Sequence, residues 1–368
     1  MSHAAFAIVG GGLVGAGIGY GLAKAGHDVL LLDEGDVAFR AARGNFGNVW
    51  VQGKGLNSPT YADLSRGAAL GWRDFAAELE DLSGVPLHFS QNGAFYVCLS
   101  AAELDRRADA LLAAEAASRI PSGVERVDRS AIAAVIPEIG ETVAGATFCP
   151  LDGMVDPLRL LRALLSGYQR FGGRVQAGAR IARIDGDGRG FVLQGAAGTV
   201  ATADRVVLAA GLGNAALAPQ LGLTAPVRPV RGQVFVTEKL RPFMSCGIHF
   251  IRQTADGGVI CGESSEEAGF DEATTRPVLR DSAAKITAVL PLLRHVRVVR
   301  AWGALRVMSP DGLPVYQRSA THPGAYLASV HSGVTLLPFH AGPFAAALAG
   351  DWLAPDLAAA FSPERFHV

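Results

Sequence analysis

The pattern of hydrophobic and polar positions at the amino terminus predicts a strand, a turn, a helix and a second strand. Residues 4–8 are few and apolar, which is typical of a short strand covered on both faces. A largely apolar helix is expected over residues 15–25, with Gly26 as its stop, and a second buried strand over residues 29–32. This order of elements is typical of the parallel sheet of an α/β domain.

The rest of the chain alternates between helical and strand-like periods. Apolar residues at helical spacing predict helices over 61–82, 101–117, 158–171 and 339–348. Shorter periods predict strands over 93–97, 144–149, 173–184, 190–208, 227–236, 249–252, 258–262, 296–306 and 326–330. We therefore expect a second, sheet-rich domain inserted into the first.

Glycines between the first strand and helix indicate a dinucleotide site. Gly10, Gly12 and Gly15 have the G-x-G-x-x-G spacing, in which the glycines allow a tight turn, backbone approach to a pyrophosphate and close packing of helix on strand. The helix start, with Leu13 and Val14, favours an anion there.

Two acidic residues close this first unit. Asp33 ends the second strand, about twenty residues after the glycines, where an acid accepts hydrogen bonds from a ribose. Glu34 is a second candidate contact, and we expect its side chain to point to the other side.

Length and composition exclude several classes of protein. With 368 residues, the chain fits two interleaved domains, and 49% hydrophobic with 18% charged residues is ordinary for a well-packed enzyme. A net charge of −1 argues against a general nucleic-acid or acidic-membrane surface. The chain enters its first strand at once, so we expect no signal peptide, no transmembrane helix and a cytoplasmic location. The scattered cysteines, Cys98, Cys149, Cys246 and Cys261, predict neither a disulfide framework nor a metal site.

A glycine-rich loop over residues 39–55 carries a family resemblance. The segments Gly44-Asn45-Phe46-Gly47 and Trp50-Val51-Gln52-Gly53-Lys54-Gly55 resemble the FAD-dependent amine and D-amino-acid oxidoreductases, such as glycine oxidase, sarcosine oxidase and D-amino-acid oxidase. Within that family they resemble most the flavin subunits of octopine and nopaline oxidase, hydrogen cyanide synthase and D-hydroxyproline dehydrogenase. The resemblance implies that this loop contacts FAD through Arg43, Gly44, Asn45, Gly47, Asn48, Val49 and Gln52.

The same resemblance implies the architecture. It is a D-amino-acid-oxidase-like α/β fold with a Rossmann-type, glutathione-reductase-like FAD-binding domain and an inserted mixed-sheet substrate domain. We expect the FAD domain to comprise residues 1–88, 155–222 and 320–368, and the substrate domain residues 89–154 and 223–319. The turn Asp152-Gly153-Met154-Val155-Asp156-Pro157 is similar to the family's D-G-x-x-D-P return to the FAD domain.

Further cofactor contacts are expected from the later strands and the carboxy-terminal motif. The strand over 206–208 ends in small residues that allow close approach to the cofactor, and the helix after residue 335 points its start at the flavin in the family. The expected contacts are Ile181, Ala210, Gly211, Ser332, Gly333, Val334 and Thr335.

Three residues are candidates for contact with the substrate. Arg306 matches the family's G-x-R segment, whose arginine pairs with the substrate carboxylate, and we also expect it near the flavin. His331 and His249 are candidates for a flavin contact or for a base, although the family's G-H-x-x-x-G start is not kept around His331. Lys54, Tyr96 and Tyr316 are cavity candidates from position alone, and no metal-ligand spacing is present.

The implied activity is FAD-dependent oxidation of the C–N bond of an amino or imino acid by hydride transfer to flavin N5. The substrate class includes opines, hydroxyproline, glycine and D-amino acids. We favour a dehydrogenase subunit that passes electrons to a flavin or iron–sulfur partner over a free-standing oxygen-dependent oxidase. Such a subunit would be peripheral to the inner membrane through its electron-transfer partner. An NAD-dependent dehydrogenase and a non-catalytic FAD-binding subunit remain alternatives.

Overall fold

The structure is a computed structural model that describes residues 2–35 and 41–366. Phe39 and Arg40, the first residues of the predicted glycine-rich loop, lie outside the described residues. The strands of the described chain, in order, are β1 Ser2–Val9, β2 Val29–Leu32, β3 Asn48–Val49, β4 Ala94–Cys98, β5 Glu125–Asp128, β6 Gly145–Cys149, β7 Gly153–Met154, β8 Arg174–Gln176, β9 Arg183–Gly186, β10 Phe191–Gly195, β11 Gly198–Leu208, β12 Arg228–Lys239, β13 Gly247–Ile248, β14 Ile251–Gln253, β15 Gly258–Cys261, β16 Val298–Met308, β17 Val315–Arg318 and β18 Ala325–Ser329.

Helices connect these strands and cover the first sheet. They are α1 Leu13–Lys24, α2 Ala41–Gly44, α3 Pro59–Leu70, α4 Trp72–Ser83, α5 Ala101–Ala116, α6 Arg129–Val135, α7 Pro157–Arg170, α8 Asn214–Leu217, α9 Arg276–Val289, α10 Leu337–Phe339, α11 Ala345–Ala349 and α12 Pro355–Ala360. A π-helical turn, His340–Phe344, joins α10 to α11, and 3-10 turns are at Gly211–Gly213, Ala218–Leu221, Pro291–His295 and Pro363–Phe366.

Two mixed sheets organise the molecule. The first has the order β17-β18-β11-β1-β2-β8, with β10 beside β11 and β9 beside β10. Its centre is parallel, since β1 pairs in parallel with both β2 and β11. The second sheet has the order β16-β12-β15-β14-β13-β4-β6-β5, and the short pair β3-β7 lies apart from both. The predicted α/β fold with an added mixed sheet is therefore confirmed.

Hydrophobic burial explains why these strands form. β1 and β2 are almost continuous runs of buried apolar residues, because helices cover one face of the first sheet and further strands and turns cover the other. The second sheet has its own core, which includes Phe95, Phe250, Ile251 and Ile286. Each sheet thus has a separate apolar interior, as expected of two folding units.

Some element predictions were wrong in detail. The helix expected over 61–82 is two helices, α3 and α4, which meet at Gly71. The strand expected over 190–208 is the hairpin of β10 and β11, and the strand expected over 249–252 is interrupted, because His249 and Phe250 form the turn between β13 and β14. The final helix begins at Leu337 rather than at Phe339, and Pro343 lies in its π turn. Helix α9 was missed because it buries few apolar residues, which weakens its periodic signal.

We keep the division into domains as a proposal. The second sheet takes its strands from residues 94–149 and 228–308. Strand β17 pairs with β18 in the first sheet, so we place the last crossing between the proposed domains before Val315 rather than at residue 320.

Candidate active site

The turn between β1 and α1 is built on close backbone contacts. Gly10 has a φ of +111°, and a Cβ on it would lie 2.4 Å from the carbonyl oxygen of Ala209. A Cβ on Gly15 would lie 1.9 Å from the carbonyl oxygen of Gly10. These two glycines are therefore required by the fold itself. A Cβ on Gly12, in contrast, would meet only Ala42, at 3.5 Å, so its surroundings are open.

The start of α1 has no side-chain cap. Gly12 is the N-cap residue in extended conformation, and the first turn holds no acidic residue. Leu13 is buried, and Val14 lies against the carboxy-terminal motif, since a Cβ on Gly333 would be 3.2 Å from its Cγ2. Uncapped N–H groups together with the helix dipole make this turn suited to an anion.

Asp33 and Glu34 face different partners. Asp33 Oδ2 accepts a hydrogen bond from the Gly11 N–H at 2.7 Å, and its Oδ1 accepts one from the Gly35 N–H at 2.9 Å. Glu34 forms an ion pair with Arg180, whose Nε lies 3.5 Å from Glu34 Oε2. The Asp33 carboxylate therefore borders the glycine turn and keeps lone pairs for a further donor.

The glycine-rich loop is tied to the second sheet. Asn45 holds its own turn, because its Oδ1 accepts from the Gly47 N–H at 2.8 Å. Asn48 Nδ2 donates to the His249 carbonyl at 3.2 Å, and Trp302 Nε1 donates to the Gly44 carbonyl at 3.1 Å. The loop is thus held against the second sheet at its two ends, while Val49 is buried within β3.

Some predicted cofactor residues have other surroundings. Gln52 uses its whole amide: its Nε2 donates to Asp152 and to the Ala94 carbonyl, and its Oε1 accepts from Arg107 and Thr147. We therefore leave a Gln52 side-chain contact out of the proposed cofactor site.

Two further predicted contacts have surroundings of their own. Arg43 is exposed and lines a groove with residues of α7, among them Leu158 and Arg162. Ile181 is buried in the apolar core on one face of the first sheet.

The carboxy-terminal motif lies beside the glycine-rich loop. Ser332 is buried and accepts hydrogen bonds from Lys54 Nζ and from the Tyr61 hydroxyl, the latter at 2.8 Å. Thr335 Oγ1 accepts from the Trp50 N–H at 3.0 Å. This packing brings residues 332–335 to the same place as the loop.

The end of β11 completes this region. The Ala210 N–H donates to Asn214 Oδ1 at 2.8 Å, and a Cβ on Gly10 would lie 2.7 Å from the Ala210 Cα. Gly211 has a φ of +59° and lies against Val307 of β16. The predicted contacts Ala210 and Gly211 are therefore adjacent to the glycine turn.

His331 lies near the positive charges of Lys54 and Arg306. Its side chain touches solvent, but desolvation, followed by the nearby charges of Lys54 and Arg306, lowers its pKa to about 3. We refer to the surroundings of His331, Lys54 and Arg306 as the proposed substrate recess. His331 is therefore neutral at neutral pH, between two cations.

Arg306 presents an open edge of its guanidinium. Its Nη1 donates to the carbonyl of Ser264 at 2.9 Å and to that of Arg231 at 3.4 Å. No described residue accepts from its Nε or Nη2, and the side chain is only partly buried. The anchored Nη1 orients the Nε–Nη2 edge, which has the geometry that binds a carboxylate through two hydrogen bonds.

His249 lies at one end of a stack with Tyr96 and Arg107. The His249 ring lies parallel to the Tyr96 ring, and their centroids are 3.6 Å apart. The Arg107 guanidinium carbon lies 3.4 Å from the centroid of the same tyrosine ring. Because His249 covers one face of that ring, Arg107 lies on the opposite face. His249 Nε2 contacts Glu263 Oε1 at 3.2 Å, and Glu263 also accepts from Lys285. Burial lowers the pKa of His249 to about 4, so the ring is neutral.

Neighbouring residues connect His249 to Arg306. Glu263 holds the His249 ring, and the carbonyl of Ser264 holds Arg306. With Nε2–H directed at Glu263, His249 Nδ1 is an acceptor, and it is buried without a partner among the described residues. The segment after β15 thus holds both Arg306 and the neutral His249.

The contacts of several residues in this region were not predicted from the sequence, and the predicted location of one residue was wrong. Asp152 is fully buried and accepts from the Val51 N–H at 2.6 Å, and desolvation raises its pKa to about 7. Glu263, Lys285 and Arg107 carry no local motif, so only the contacts above reveal them. Tyr316 was proposed for the cavity but is buried in the core, with its hydroxyl 2.8 Å from His340 Nε2.

Comparison with known proteins identifies the family. Residues 5–347 match the family described as DAO, FAD dependent oxidoreductase. The chain belongs to this family. It is 38% identical over 362 residues to a subunit of the opine oxidase of Agrobacterium tumefaciens (strain Ach5), covering 98% of this chain and 97% of that protein. It is 26% identical over 367 residues to the hydrogen cyanide synthase protein HcnC of Pseudomonas protegens, covering 86% of this chain and 84% of that protein.

A solved structure has the same fold. The crystal structure of glycine oxidase from Geobacillus kaustophilus superposes with a TM-score of 0.88 at 25% identity, covering 98% of each chain. The predicted family, fold, enzyme class and cofactor are thereby confirmed: the chain is an FAD-dependent oxidoreductase. The alternative of an NAD-dependent dehydrogenase is wrong.

The residues present fit FAD. The DAO-family chain offers an uncapped helix start, an open face at Gly12 and a carboxylate beside the glycine turn. Within residues 2–35 and 41–366, no helix has the length and apolar character to cross a membrane. The same described ranges contain no group of His, Cys, Asp and Glu side chains arranged to hold a metal ion.

Two alanine variants test separately what the glycine turn contributes to stability and what it contributes to FAD binding. Gly15→Ala should destabilise the FAD-free protein by about 1–3 kcal/mol or more, because its methyl overlaps a carbonyl oxygen. Gly12→Ala should leave the melting temperature of the FAD-free protein nearly unchanged and weaken FAD binding about tenfold or more, because its methyl enters the space for the pyrophosphate. Thermal unfolding and FAD titration measure the two effects. Equal losses in both variants would contradict this separation.

A second pair of variants tests the ribose assignment. Asp33→Ala should weaken FAD retention about 10- to 100-fold, the usual effect of losing hydrogen bonds to a charged group. Glu34→Ala, the matched control, should retain FAD because its carboxylate faces Arg180. FAD content after gel filtration is the measurement. The same FAD content in both purified variants would show that Asp33 does not hold the ribose.

Proposed function

We propose that this DAO-family chain oxidises the C–N bond of an amino or imino acid, with an opine as the preferred class of substrate. The observation that carries the proposal is the anchored Arg306 with its open Nε–Nη2 edge, held by Ser264, which directly follows the Glu263 that holds the neutral His249. Bound FAD would supply the two-electron acceptor, and the resulting imine would be hydrolysed by water.

Arg306 would fix the substrate by its α-carboxylate. Because the carbonyls of Ser264 and Arg231 hold Nη1, the guanidinium keeps one orientation, and little entropy is lost when a carboxylate binds. A bidentate contact of this kind also fixes the direction of the adjacent Cα–N bond. Gly232 makes room for the guanidinium, since a Cβ there would lie 2.5 Å from Arg306 Nη2.

His249 would meet the amine. C–N oxidation requires the neutral amine, and a histidine with a pKa of about 4 stays unprotonated over the neutral range. Its Nδ1 is then free to accept a hydrogen bond from the substrate N–H. We assign His249 this positioning role and His331 a contact with the flavin region.

Lys54 supports a substrate with a second negative group. Its ammonium group donates to Ser332 and has no carboxylate within ion-pair distance among the described residues. Lys54 and Arg306 both act on His331, so the recess carries an excess of positive charge. An opine is a secondary amine with two carboxylates, and the 38%-identical relative is named as part of an opine oxidase.

We further propose that the chain is a dehydrogenase subunit that passes electrons to a flavin or iron–sulfur partner. Two relatives are named as subunits, of opine oxidase and of hydrogen cyanide synthase. The four cysteines are buried, so an iron–sulfur relay would have to come from another chain. The second candidate is a free-standing oxygen-dependent oxidase, favoured by the likeness to glycine oxidase.

Substitution of Arg306 tests the carboxylate assignment. Arg306→Met should keep the flavin absorbance spectrum and raise the substrate concentration for half-bleaching under nitrogen by about 10²-fold or more, since a charge-assisted bidentate contact is lost. Arg228→Met, an exposed arginine on the neighbouring strand, is the control. An unchanged half-bleaching concentration would show that the carboxylate is held elsewhere.

Lys54→Met distinguishes opines from simple amino acids in the same assay. It should raise the half-bleaching concentration for a dicarboxylate opine about tenfold more than for proline or glycine, since only the opine presents a second carboxylate. The same change for all three substrates would remove the opine preference and leave the Arg306 assignment intact.

The electron acceptor is tested with the isolated chain. Substrate should bleach its flavin under nitrogen, turnover should be fast with an added redox dye, and reoxidation in air should be slow. Dye reduction and hydrogen peroxide formation are measured side by side. Peroxide formed as fast as the dye is reduced would make the chain a self-sufficient oxidase.

A further inference from the structure

A second polar cavity lies outside the site described above. It has a volume of about 60 Å³ and is lined by His88, Ser90, Met154, Asp156, Met244, Ser245, Cys246, Arg252, Gln253, Thr254 and Ala255. It lies where the D-G-x-x-D-P turn meets the β13–β14 hairpin. A water molecule needs on the order of 10–15 Å³ of such space, so the cavity admits several waters or one small polyatomic ion.

Arg252 is the unusual residue of this cavity. Its side chain is only 5% exposed, and no described residue accepts a hydrogen bond from it. Its Nε is buried without a partner, and no carboxylate of the described chain lies within ion-pair distance. A buried ionised group without a hydrogen-bonding partner is strongly unfavourable.

The surroundings compensate this charge only in part. Phe46 lies under the guanidinium, with its ring centroid 5.6 Å from the guanidinium carbon, and Asp156 acts on it from beyond contact distance. Asp156 is otherwise engaged, because its Oδ1 caps α7 by accepting from the N–H groups of Leu158 and Arg159. Burial lowers the pKa of Arg252 to about 10, so the side chain remains charged at neutral pH.

Among the other polar groups of the cavity, some have hydrogen-bond partners and others, like Arg252, have none within the described chain. Gln253 uses its amide to hold backbone groups of residues 240–244. The hydroxyls of Ser90 and Thr254 make no hydrogen bond within the described chain and line the cavity with Arg252. Arg252 and these two hydroxyls therefore offer unused hydrogen-bond donors to this space.

We propose that this cavity is a binding site for an oxyanion, a phosphate or carboxylate group, held by the Arg252 guanidinium with hydroxyl donors beside it. The planar fork of an arginine matches both oxyanions. The site is separate from the proposed substrate recess, since neither Arg306, Lys54 nor His331 lines the cavity. The proposal does not depend on the identity of the substrate.

Equilibrium dialysis of the FAD-saturated protein against radioactive inorganic phosphate and acetate tests the site. Saturation with FAD fills the pyrophosphate site, so that it does not contribute. Apart from any acetate held at Arg306, we expect one phosphate or acetate per chain, with an affinity at least about tenfold weaker in Arg252→Met. Whichever of the two anions binds more tightly identifies the source of the oxyanion.

Two controls locate the binding. Arg306→Met, which removes the proposed substrate arginine, should keep the anion, as should Arg126→Met, an exposed arginine of the second sheet. No binding by the wild-type protein at about 10 mM anion, or equal binding by Arg252→Met, would overturn the proposal. Loss of the anion in Arg306→Met alone would also overturn it.

Asp156→Asn keeps the test decisive if Arg252→Met fails to fold. Asparagine retains the oxygen that caps α7 and removes the nearby negative charge, so it should tighten anion binding several-fold. Unchanged or weaker binding in Asp156→Asn would contradict an anion at Arg252.

Discussion

The close approach of the first turn to the end of β11 is the constraint on which the rest of the structure depends. A side chain at Gly10 would overlap the Ala209 carbonyl, and one at Gly15 would overlap Gly10 itself. These contacts are possible only because β1 lies in parallel beside β11, with Val9 opposite Leu208. They bring the start of α1 and the turn after β11 to one place, and the carboxy-terminal motif packs against the same turn through Val14 and Gly333.

The proposed substrate recess depends on a second constraint: two adjacent residues after β15 hold its side chains in place. Glu263 holds His249 and Ser264 holds Arg306, so a shift of this short segment would move both side chains together. Burial keeps His249 neutral, desolvation keeps His331 neutral, and Arg306 and Lys54 are the charges that act on His331. A recess with this balance is complementary to an anionic amine rather than to a cation.

A buried carboxylate joins the two halves of the molecule. Asp152 accepts hydrogen bonds from the backbone of the glycine-rich loop and from Gln52, and Gln52 in turn accepts from Arg107 and Thr147. The glycine-rich loop is therefore anchored to α5 and β6 through Gln52.

The sequence by itself determined the parts of this protein whose signal is local. The spacing of Gly10, Gly12 and Gly15 and the apolar runs of β1 and β2 predicted the fold, and the segment from Gly44 to Gly55 indicated the family, because backbone geometry restricts neighbouring residues directly. Only the tertiary structure decided the polar networks. Asn48 and His249 are 201 residues apart in the chain, and Lys54 and Ser332 are 278 apart. Glu263 and Arg252 carry no motif, and Tyr316 moved from the predicted cavity to the core, because side-chain partners are set by burial and by which distant strands pair.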